Sequence, residues 1–426
     1  MEKQFTEITF SKENIKANPN IRLTDFDEDT GLELYCYTQC GNSDTAFLKN
    51  CRGVVFHGEK LVMKAFPYTD EYSYSKINEL EESLKNFEKF SFYKSYEGTL
   101  LRLFYFSGKW FLTTHRKLNA FKSRWSGQDS FGSLFSLALE HEYAINENFK
   151  NSLGESGDTM LEKFYSSLDK EQQYMFLVRN TSENRIVCKQ PSDTDTKLFS
   201  IGYFKDGVFH MDSINNLKTP EKIQLKNLSE LQDYFKNEVN PNEFQGLVVL
   251  EEGNNFKLKI VHDDYEKLFN IRGNEPSIKF RYLQVRMDKE KVNQLNQLYP
   301  HMTPVFESYE KCLFEISKII HRAYIQRFIK KNFITVPKEE FLVISECHSW
   351  HLLNREQNRI SIEKIIAVLN RQPPININSM IRRFNGENQK KQIQPRLINN
   401  TPEYRGQHND SLPTPLLLCN VANWKN

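Results

Sequence analysis

The chain lacks any long apolar run and any apolar segment at its start. No run approaches the roughly 18 apolar residues that a membrane-spanning helix needs. The first residues, Met1-Glu2-Lys3-Gln4, do not contain the apolar core of a signal peptide. We therefore expect an intracellular, cytoplasmic protein that does not enter a membrane.

The chain also lacks an excess of charge of one sign. It has 57 lysine and arginine residues against 55 aspartate and glutamate residues, a formal net charge of +2. Total charge therefore does not identify a nucleic-acid partner, and any such preference must come from local clusters of basic residues.

Cysteines are few and do not form a pattern typical of disulfides. Their odd number and wide spacing in a long chain indicate reduced thiols. Cys36 and Cys40 are close together, but no nearby residues complete a metal-binding set, so a zinc site is not expected. The seven cysteines are at positions 36, 40, 51, 188, 312, 347 and 419.

Short apolar runs paired across glycine-containing turns dominate the first two thirds of the chain. This pattern predicts β-hairpins and therefore an antiparallel sheet system. Helical patterns interrupt the hairpins at 76–87, 133–168 and 228–235, the last opened by the capping pattern Ser229-x-x-Gln232. The fold class is α+β. The hairpins are predicted at 54–63, 100–113, 200–211 and 246–260.

From about residue 305 the pattern changes to helix, with apolar residues spaced by three and four and further helical runs at 342–353 and 362–369. A chain of 426 residues exceeds what a single core ordinarily covers, so two domains are expected. We predict a first domain at 1–295, a smaller all-helical domain at 300–385 and a disordered tail at 386–426.

A series of short motifs lies along the predicted hairpins. Arg52-Gly53 opens the first hairpin, and Lys64 to Pro67 closes it. The segment Tyr93-Lys94-Ser95-Tyr96-Glu97-Gly98-Thr99 leads into the second hairpin, on which Arg102 lies. These are followed by an apolar strand containing Phe176, by Gln245-Gly246, and by Lys257-Leu258-Lys259.

The order of these motifs resembles that of covalent nucleotidyltransferases, and in detail that of phage-type RNA ligases related to fungal tRNA ligase. The resemblance covers roughly residues 52–286. It implies an antiparallel-sheet nucleotidyltransferase domain, of the ATP-grasp-like ligase kind, followed by the smaller helical domain. The general character of the chain also resembles divergent proteins of large DNA viruses, which would place it in a viral factory or the host cytoplasm.

In that family a lysine attacks the α-phosphate of ATP, and the lysyl-AMP then serves to seal or modify nucleic-acid ends, as in RNA repair. The resemblance implies that Lys94 is the nucleophile and that Lys257 and Lys259 contact phosphate. It further implies that Mg²⁺ assists as a cofactor beside ATP. The remaining implied contacts are Arg52, Lys64, Glu97, Gly98, Arg102 and Phe176 for the nucleotide, and Gln245 for the metal.

Three positions depart from the family pattern. Two residues rather than one separate Lys94 from the acidic-glycine pair Glu97-Gly98, so that alignment on this pair places Ser95 at the nucleophile position. Leu177 stands where an acidic residue is expected, and Gln245 stands where a glutamate would bind the metal. Since a one-residue shift on a strand turns a side chain to the opposite face, an inward-pointing Ser95 would indicate an inactive site.

Three functions therefore remain open. The first is an ATP-dependent RNA ligase-like nucleotidyltransferase, and the second is a catalytically inactive ligase fold that binds nucleotide or RNA. A less favoured third is an mRNA-capping guanylyltransferase. The expected partners are RNA or DNA ends and a nucleotide, with the protein as a monomer. A simpler interpretation is that Lys94, Lys257 and Lys259 are solvated residues on strand surfaces.

Overall fold

A computed structural model describes residues 11–64, 66–125, 127–181, 186–189, 196–251 and 257–398, with side chains as far as 386. The chain divides into two compact units, with the boundary between Ser308 and Tyr309. Unit 1 contains the sheets and unit 2 is helical. The predicted domain bounds, 1–295 and 300–385, stay a prediction.

Fourteen strands occur in the described part of unit 1. In chain order they are β1 (Ile21–Asp27), β2 (Leu32–Tyr37), β3 (Arg52–His57), β4 (Lys60–Met63), β5 (Asp70–Ser73), β6 (Phe90–Ser95), β7 (Thr99–Phe106), β8 (Lys109–Thr113), β9 (Gln173–Asn180), β10 (Thr196–Lys205), β11 (Val208–His210), β12 (Lys222–Ile223), β13 (Gly246–Glu251) and β14 (Lys257–Val261).

The strands form three sheets. Sheet I has the order β1-β2-β3-β4, sheet II has the order β12-β6-β13-β14-β5, and sheet III has the order β11-β10-β9-β7-β8. The described strand pairs are antiparallel except for β5, which runs parallel to β14. The structure thus confirms a mixed α+β fold with antiparallel sheets, while its assignment to the ligase family remains a prediction.

Helices cover the sheets of unit 1 and make up unit 2. In chain order they are α1 (Lys12–Ala17), α2 (Ala46–Asn50), α3 (Phe131–Ile145), α4 (Glu147–Ser152), α5 (Met160–Ser166), α6 (Leu228–Asn237), α7 (Asp263–Arg272), α8 (Ile278–Val285), α9 (Lys289–Leu298), α10 (Thr303–Tyr324), α11 (Lys338–Leu353), α12 (Ile362–Leu369) and α13 (Pro374–Ile398). No helix among the described residues is long and apolar enough to cross a membrane.

Sheets II and III each bury one face in a separate core. On sheet III, alternate residues such as Leu101, Leu103 and Phe176 pack against helices α3 to α5. On sheet II, residues such as Phe92 and Leu247 pack against helix α6 and the segment 74–87. Because side chains alternate between the faces of a strand, each sheet presents a second set of side chains on its opposite face.

The structure corrects several local predictions. Residues 76–87 form a short 3₁₀ helix at Tyr74–Leu80 followed by turns, rather than an α-helix. Helix α6 is capped by Asn227, whose side chain accepts from the Glu230 N–H, and not by Ser229. The hairpin β1-β2 and helices α7 to α9 were not predicted.

Unit 2 contains the predicted helical runs. Helix α12 has the predicted bounds, and α11 begins four residues earlier than predicted. Helix α13 continues to Ile398, inside the segment for which the sequence predicts a disordered tail. Residues 399–426 lie outside the described part of the chain, so the prediction for them stays a prediction.

Candidate nucleotide-binding cleft

A cavity of about 170 Å³ lies between the second faces of sheets II and III. Sheet II contributes Tyr93, Ser95, Val248, Leu250 and Lys257 to its lining. Sheet III contributes Leu100, Leu177, Ile201 and Phe209. A larger depression of about 550 Å³ near the end of helix α3 contains none of the predicted site residues. The cavity between the sheets is therefore the candidate site.

The strand register decides which side chains of sheet II reach this cavity. Ser95 pairs with Gly246, and Val248 pairs with Tyr93 on one side and Lys259 on the other. These pairings continue without a register shift. Directly paired residues share a face. Tyr93, Ser95, Val248, Lys257 and Lys259 therefore lie on the face of sheet II that borders the cavity, which we call the cleft face.

Lys94 lies on the opposite face, which we call the core face. It pairs with Leu247, a buried core residue, although Lys94 is also among the residues that line the cavity. The Lys94 amine forms an ion pair with Glu221 at 2.7 Å and lies 5.0 Å from the centre of the Phe244 ring. No bulge in the described register of β6 turns Lys94 toward the cleft.

Ser95 points toward the cleft and contacts Gln245, another position that departs from the family pattern. Its hydroxyl donates to Gln245 Oε1 at 3.0 Å, and the amide of Gln245 donates to the Tyr265 hydroxyl at 2.6 Å. Both Ser95 and Gln245 are buried. A neutral hydrogen-bonded pair thus stands where the resemblance implies a lysine and a metal-binding glutamate.

This pair is the first part of a buried chain of hydrogen bonds that ends at Glu97. The Tyr265 hydroxyl donates to Glu97 Oε1 at 3.2 Å, and the backbone N–H groups of Val187 and Cys188 donate to Glu97 Oε2 at 2.6 and 2.8 Å. Burial raises the pKa of Glu97, and these donors and the charge of Lys259 oppose that rise. Glu97 consequently fixes the backbone of the segment 187–188.

Gly98 allows the chain to cross from sheet II to sheet III after Glu97. A Cβ atom on Gly98 would lie 2.6 Å from the carbonyl oxygen of Val178 and 3.0 Å from Leu177 side-chain atoms. These distances are shorter than van der Waals contact. The glycine is therefore needed for close packing of the backbone, and its contact with nucleotide stays a prediction.

Lys257 is an amine in an unusual setting on the cleft face. Its Nζ lies 3.2 Å from the centre of the Phe66 ring and 5.9 Å from that of Phe209. Burial lowers the pKa of the Lys257 amine well below its usual range, and the charges of Arg52 and Lys64 lower it further. No carboxylate among the described residues forms an ion pair with it.

Lys259, two residues further along β14, has a different environment. Its amine forms an ion pair with Glu71 at 2.8 Å and lies 5.9 Å from the centre of the Tyr265 ring. It therefore lies near the Glu97 end of the hydrogen-bonded chain, and its charge is already matched by a carboxylate.

Of the predicted nucleotide contacts, Arg52 lines the cavity, whereas Lys64, Glu97, Gly98, Arg102 and Phe176 are not among its lining residues. Phe176 is fully buried against Phe135 and Phe164 in the helix-covered core of sheet III. Arg102 is 1% exposed, and its guanidinium donates to the carbonyl oxygens of Gly53 and Thr114. Contrary to the prediction, the structure uses these residues to pack and link the sheets.

Aromatic residues other than Phe176 line the cavity. Phe66 and Phe209 line the cavity, with ring centres 4.4 Å apart and planes inclined at 68°. Tyr93 lines it from β6. In the sequence, the alternation of side chains along β6 indicates Tyr93, and the motif that follows β4 contains Phe66. No sequence pattern indicates Phe209.

The residues present do not fit a magnesium ion. The Gln245 Oε1 atom accepts a hydrogen bond from Ser95, and its Nε2 group donates one to the Tyr265 hydroxyl. Among the described residues there is no group of three histidine, cysteine, aspartate or glutamate side chains that could hold a metal. Magnesium prefers hard, anionic oxygen ligands, which Gln245 does not supply.

Comparison with known proteins finds viral relatives. The chain is 28% identical over 361 residues to the immediate-early protein ICP-46 homolog of Invertebrate iridescent virus 6, covering 81% of this chain and 78% of the relative. It is 29% identical over 355 residues to the homolog of Invertebrate iridescent virus 3, covering 79% and 74%. The relatives are proteins of large DNA viruses, as expected, and their names state no activity.

A third relative and one solved structure are more distant. The immediate-early protein ICP-46 of Frog virus 3 is 26% identical over 270 residues, covering 61% of this chain and 64% of the relative. A putative ATP-dependent DNA ligase from Aquifex aeolicus is similar with a TM-score of 0.40 and 12% identity, covering 79% and 86%. No protein-family model matches the chain.

Proposed function

We propose that the cleft binds a nucleoside phosphate, either a free nucleotide such as ATP or the phosphorylated end of an RNA, without forming a covalent bond to Lys94. The observation that carries this proposal is the joint presence of aromatic rings and the basic side chains Arg52 and Lys257 in the lining of one cavity. Phe66 and Lys257 are in contact, and the charges of Arg52 and Lys64 reach Lys257.

Each part of the ligand has a counterpart in the cleft. A base or ribose is held by aromatic and aliphatic surface, and stacking on an aromatic side chain contributes about 1–3 kcal/mol per base. A phosphate is held by cations, with Arg52 as the side chain best suited to paired hydrogen bonds. The cavity of about 170 Å³ is smaller than typical ligand sites of roughly 300–1,000 Å³, which favours a single nucleotide over a longer segment.

Ligase chemistry through Lys94 is the second candidate, favoured by the order of the motifs. It requires the Lys94 amine to leave Glu221 and to cross from the core face to the cleft face. A capping guanylyltransferase would require the same movement. A preference for GTP over ATP in the binding test below would favour it.

The test is equilibrium binding of the full chain to ATP, GTP, and 5′-phosphorylated and 5′-hydroxyl oligoribonucleotides. We expect Arg52→Met and Phe66→Ala each to raise the Kd by about 10-fold or more. Lys94→Met should change it by less than about 2-fold, since the side chain faces the core. Circular dichroism controls for folding.

The RNA arm separates the two sources of phosphate. Tighter binding of the 5′-phosphorylated than of the 5′-hydroxyl oligonucleotide would identify an RNA end as the ligand. Binding of ATP alone would identify a free nucleotide. The proposal fails if none of these ligands binds, or if Lys94→Met weakens binding as much as Arg52→Met.

A further inference from the structure

The depression of about 550 Å³ near the end of helix α3 is lined by a buried acidic residue that the proposed function does not use. Its volume lies within the roughly 300–1,000 Å³ that is usual for ligand sites. Glu142 and Ile145 line it from the last turns of α3, and Lys197 and Lys218 line it from the side of strand β10. None of these residues lines the cavity between sheets II and III. The depression is therefore a separate candidate site.

Glu142 lies where the helical pattern would place an apolar residue. The stripe of α3 that packs on sheet III contains Leu134, Phe135, Ala138 and Leu139, and Glu142 continues it at the same spacing. Glu142 is 9% exposed. Among the described residues, none forms a hydrogen bond or an ion pair with its carboxylate. Because buried charged groups are ordinarily paired, this carboxylate indicates a place for a ligand.

The surroundings of Glu142 favour a positively charged group. Helix α3 ends at Ile145, and its last turn contains no basic residue, although the C-terminal end of a helix attracts cations. The other acidic residue of the lining, Glu147, already has an ion pair with Lys150 at 3.6 Å. Glu142 is therefore the carboxylate of the depression that a cationic ligand would reach.

Lys197 and Lys218 add positive charge to the lining of the same depression. Both residues are exposed, and neither forms an ion pair with Glu142. A ligand that carried a cation alone would be repelled by these two lysines. The lining thus fits a ligand with a cationic group for Glu142 and an anionic group for the lysines.

Hydrogen bonds hold the wall of the depression where α3 meets α4. Asn146 Nδ2 donates to the Asn216 carbonyl oxygen at 3.2 Å, and Asn216 Nδ2 donates to that of Asn148 at 3.3 Å. Asn146 also caps helix α4, because its side chain accepts from the Phe149 N–H. A wall that is fixed before binding loses less conformational entropy when a ligand binds.

We propose that the depression binds an arginine of a partner peptide, with the guanidinium on Glu142 and the carboxylate of a neighbouring acidic residue near Lys197 and Lys218. A guanidinium suits a buried carboxylate better than an ammonium does, because it is less strongly hydrated and its parallel N–H groups match both oxygens. Ile145, 66% exposed, offers apolar surface to the arginine stem. The exposed residues of the lining leave the depression open, so a peptide can pass across it. The proposal uses no residue of the cleft and is therefore independent of the proposed function.

The experiment titrates the full chain with an end-blocked tetrapeptide that contains arginine followed by aspartate, measured by isothermal titration calorimetry. Two matched peptides replace the arginine by citrulline, which has nearly the same shape without the charge, or the aspartate by asparagine. We expect citrulline to raise the Kd by about 10-fold or more, and asparagine by about 2- to 5-fold because the lysines are exposed. These comparisons require no variant of the protein to fold.

The variant Glu142→Gln keeps the shape of the side chain and removes its charge. It should raise the Kd of the arginine peptide by about 10-fold or more and remove most of the preference for arginine over citrulline. Glu140→Gln is the control, because Glu140 is an exposed residue of α3 outside the lining, and this variant should retain binding. Thermal unfolding checks that each variant is folded.

Equal binding of the arginine and citrulline peptides to the wild type, or no binding of either, overturns the inference. Free arginine that binds as tightly as the peptide overturns the assignment to a peptide. Tighter binding of the peptide to Lys218→Met than to the wild type would show that Lys218 competes for Glu142, which overturns the charge pattern proposed for the ligand. Since Glu142 does not line the cleft, Glu142→Gln should bind nucleotide as the wild type does.

Discussion

The two faces of sheet II carry two lysines in opposite circumstances. On the core face, Lys94 is held by Glu221 at 2.7 Å and packs on the Phe244 ring. On the cleft face, Lys257 has an aromatic ring and neighbouring cations, and burial lowers its pKa. The lysine that the resemblance implies as nucleophile therefore lies on the face of sheet II opposite to that of Lys257.

This difference follows from register rather than composition. Lys94 and Ser95 are neighbours in the sequence, but a strand sends them to opposite faces. A short motif identifies a strand segment, but its alignment is uncertain by one residue. That uncertainty leaves open the face to which each side chain points. The face on which each of these two lysines lies decides which side chains it meets, Glu221 for Lys94 on the core face and Phe66 for Lys257 on the cleft face.

The largest expected effect on unfolding free energy comes from breaking the pairing of β13 with β14, which defines the two faces of sheet II. Gly246 has φ +146°, and a Cβ atom there would lie 2.1 Å from the carbonyl oxygen of Ile260. Because the clash is with backbone, Gly246→Ala must separate β13 from β14. We expect a loss of more than about 3 kcal/mol of unfolding free energy, or failure to fold, measured by thermal and urea unfolding.

The control for this variant is Gly41→Ala. The nearest atom to its Cβ position is an Asp44 carboxylate oxygen at 3.9 Å, an ordinary contact. It should change stability by less than about 1 kcal/mol. A stable Gly246→Ala protein would show that the described register at the start of β13 is wrong, and with it the assignment of the two faces.

The next largest effect is expected at Glu97, which anchors the cleft face to the segment 187–188. Glu97→Ala leaves the N–H groups of Val187 and Cys188 and the Tyr265 hydroxyl without their acceptor. We expect the free energy of unfolding to fall by about 2–4 kcal/mol, measured by urea unfolding. Glu28→Ala, at an exposed turn position, is the control and should be nearly neutral. Equal losses of stability in Glu97→Ala and Glu28→Ala would contradict the hydrogen-bond network around Glu97.

A smaller effect should distinguish Lys257 by its dependence on pH. Its pKa is lowered in the folded state, whereas it is about 10.4 in an unfolded chain. Between these values the unfolded state binds more protons, so wild-type stability should rise with pH relative to Lys257→Met. The slope should reach at most about 1.4 kcal/mol per pH unit, and the relative gain is lost as pH falls.

The difference in unfolding free energy between wild type and Lys257→Met is measured between pH 6 and about pH 10. Lys257→Arg is the control, since arginine keeps its charge throughout this range and should show no such slope relative to Lys257→Met. A constant difference in unfolding free energy between wild type and Lys257→Met would contradict a lowered pKa of Lys257 in the folded protein.

Much of the fold was predictable from local pattern. The hairpins of β3-β4, β7-β8 and β10-β11 each join apolar strands through a turn with glycine, which is a strong short-range signal. The hairpin β1-β2 was missed because β1 carries mostly polar, partly exposed residues. Residues 76–87 show helical spacing, but they pack as turns over the core of sheet II.

The site was predictable only in part. Strand alternation correctly grouped Lys257 with Lys259, and the spacing around Glu97-Gly98 identified Ser95 as the inward candidate. The cleft also depends on Phe66 and Phe209, which come from a loop and a three-residue strand far apart in the sequence. Their contact is a product of tertiary packing, which no local pattern contains.

The smallest expected effect concerns the ion pair on the core face. The Lys94 and Glu221 side chains are 20% and 56% exposed, so solvent weakens their attraction. A double-mutant cycle with Lys94→Met and Glu221→Gln should give a coupling energy of at most about 1 kcal/mol, reduced by salt. Methionine retains the apolar contact with Phe244. A coupling well above this value, or loss of nucleotide binding in Lys94→Met, would show that Lys94 acts on the cleft face and that the two lysines are not divided as proposed.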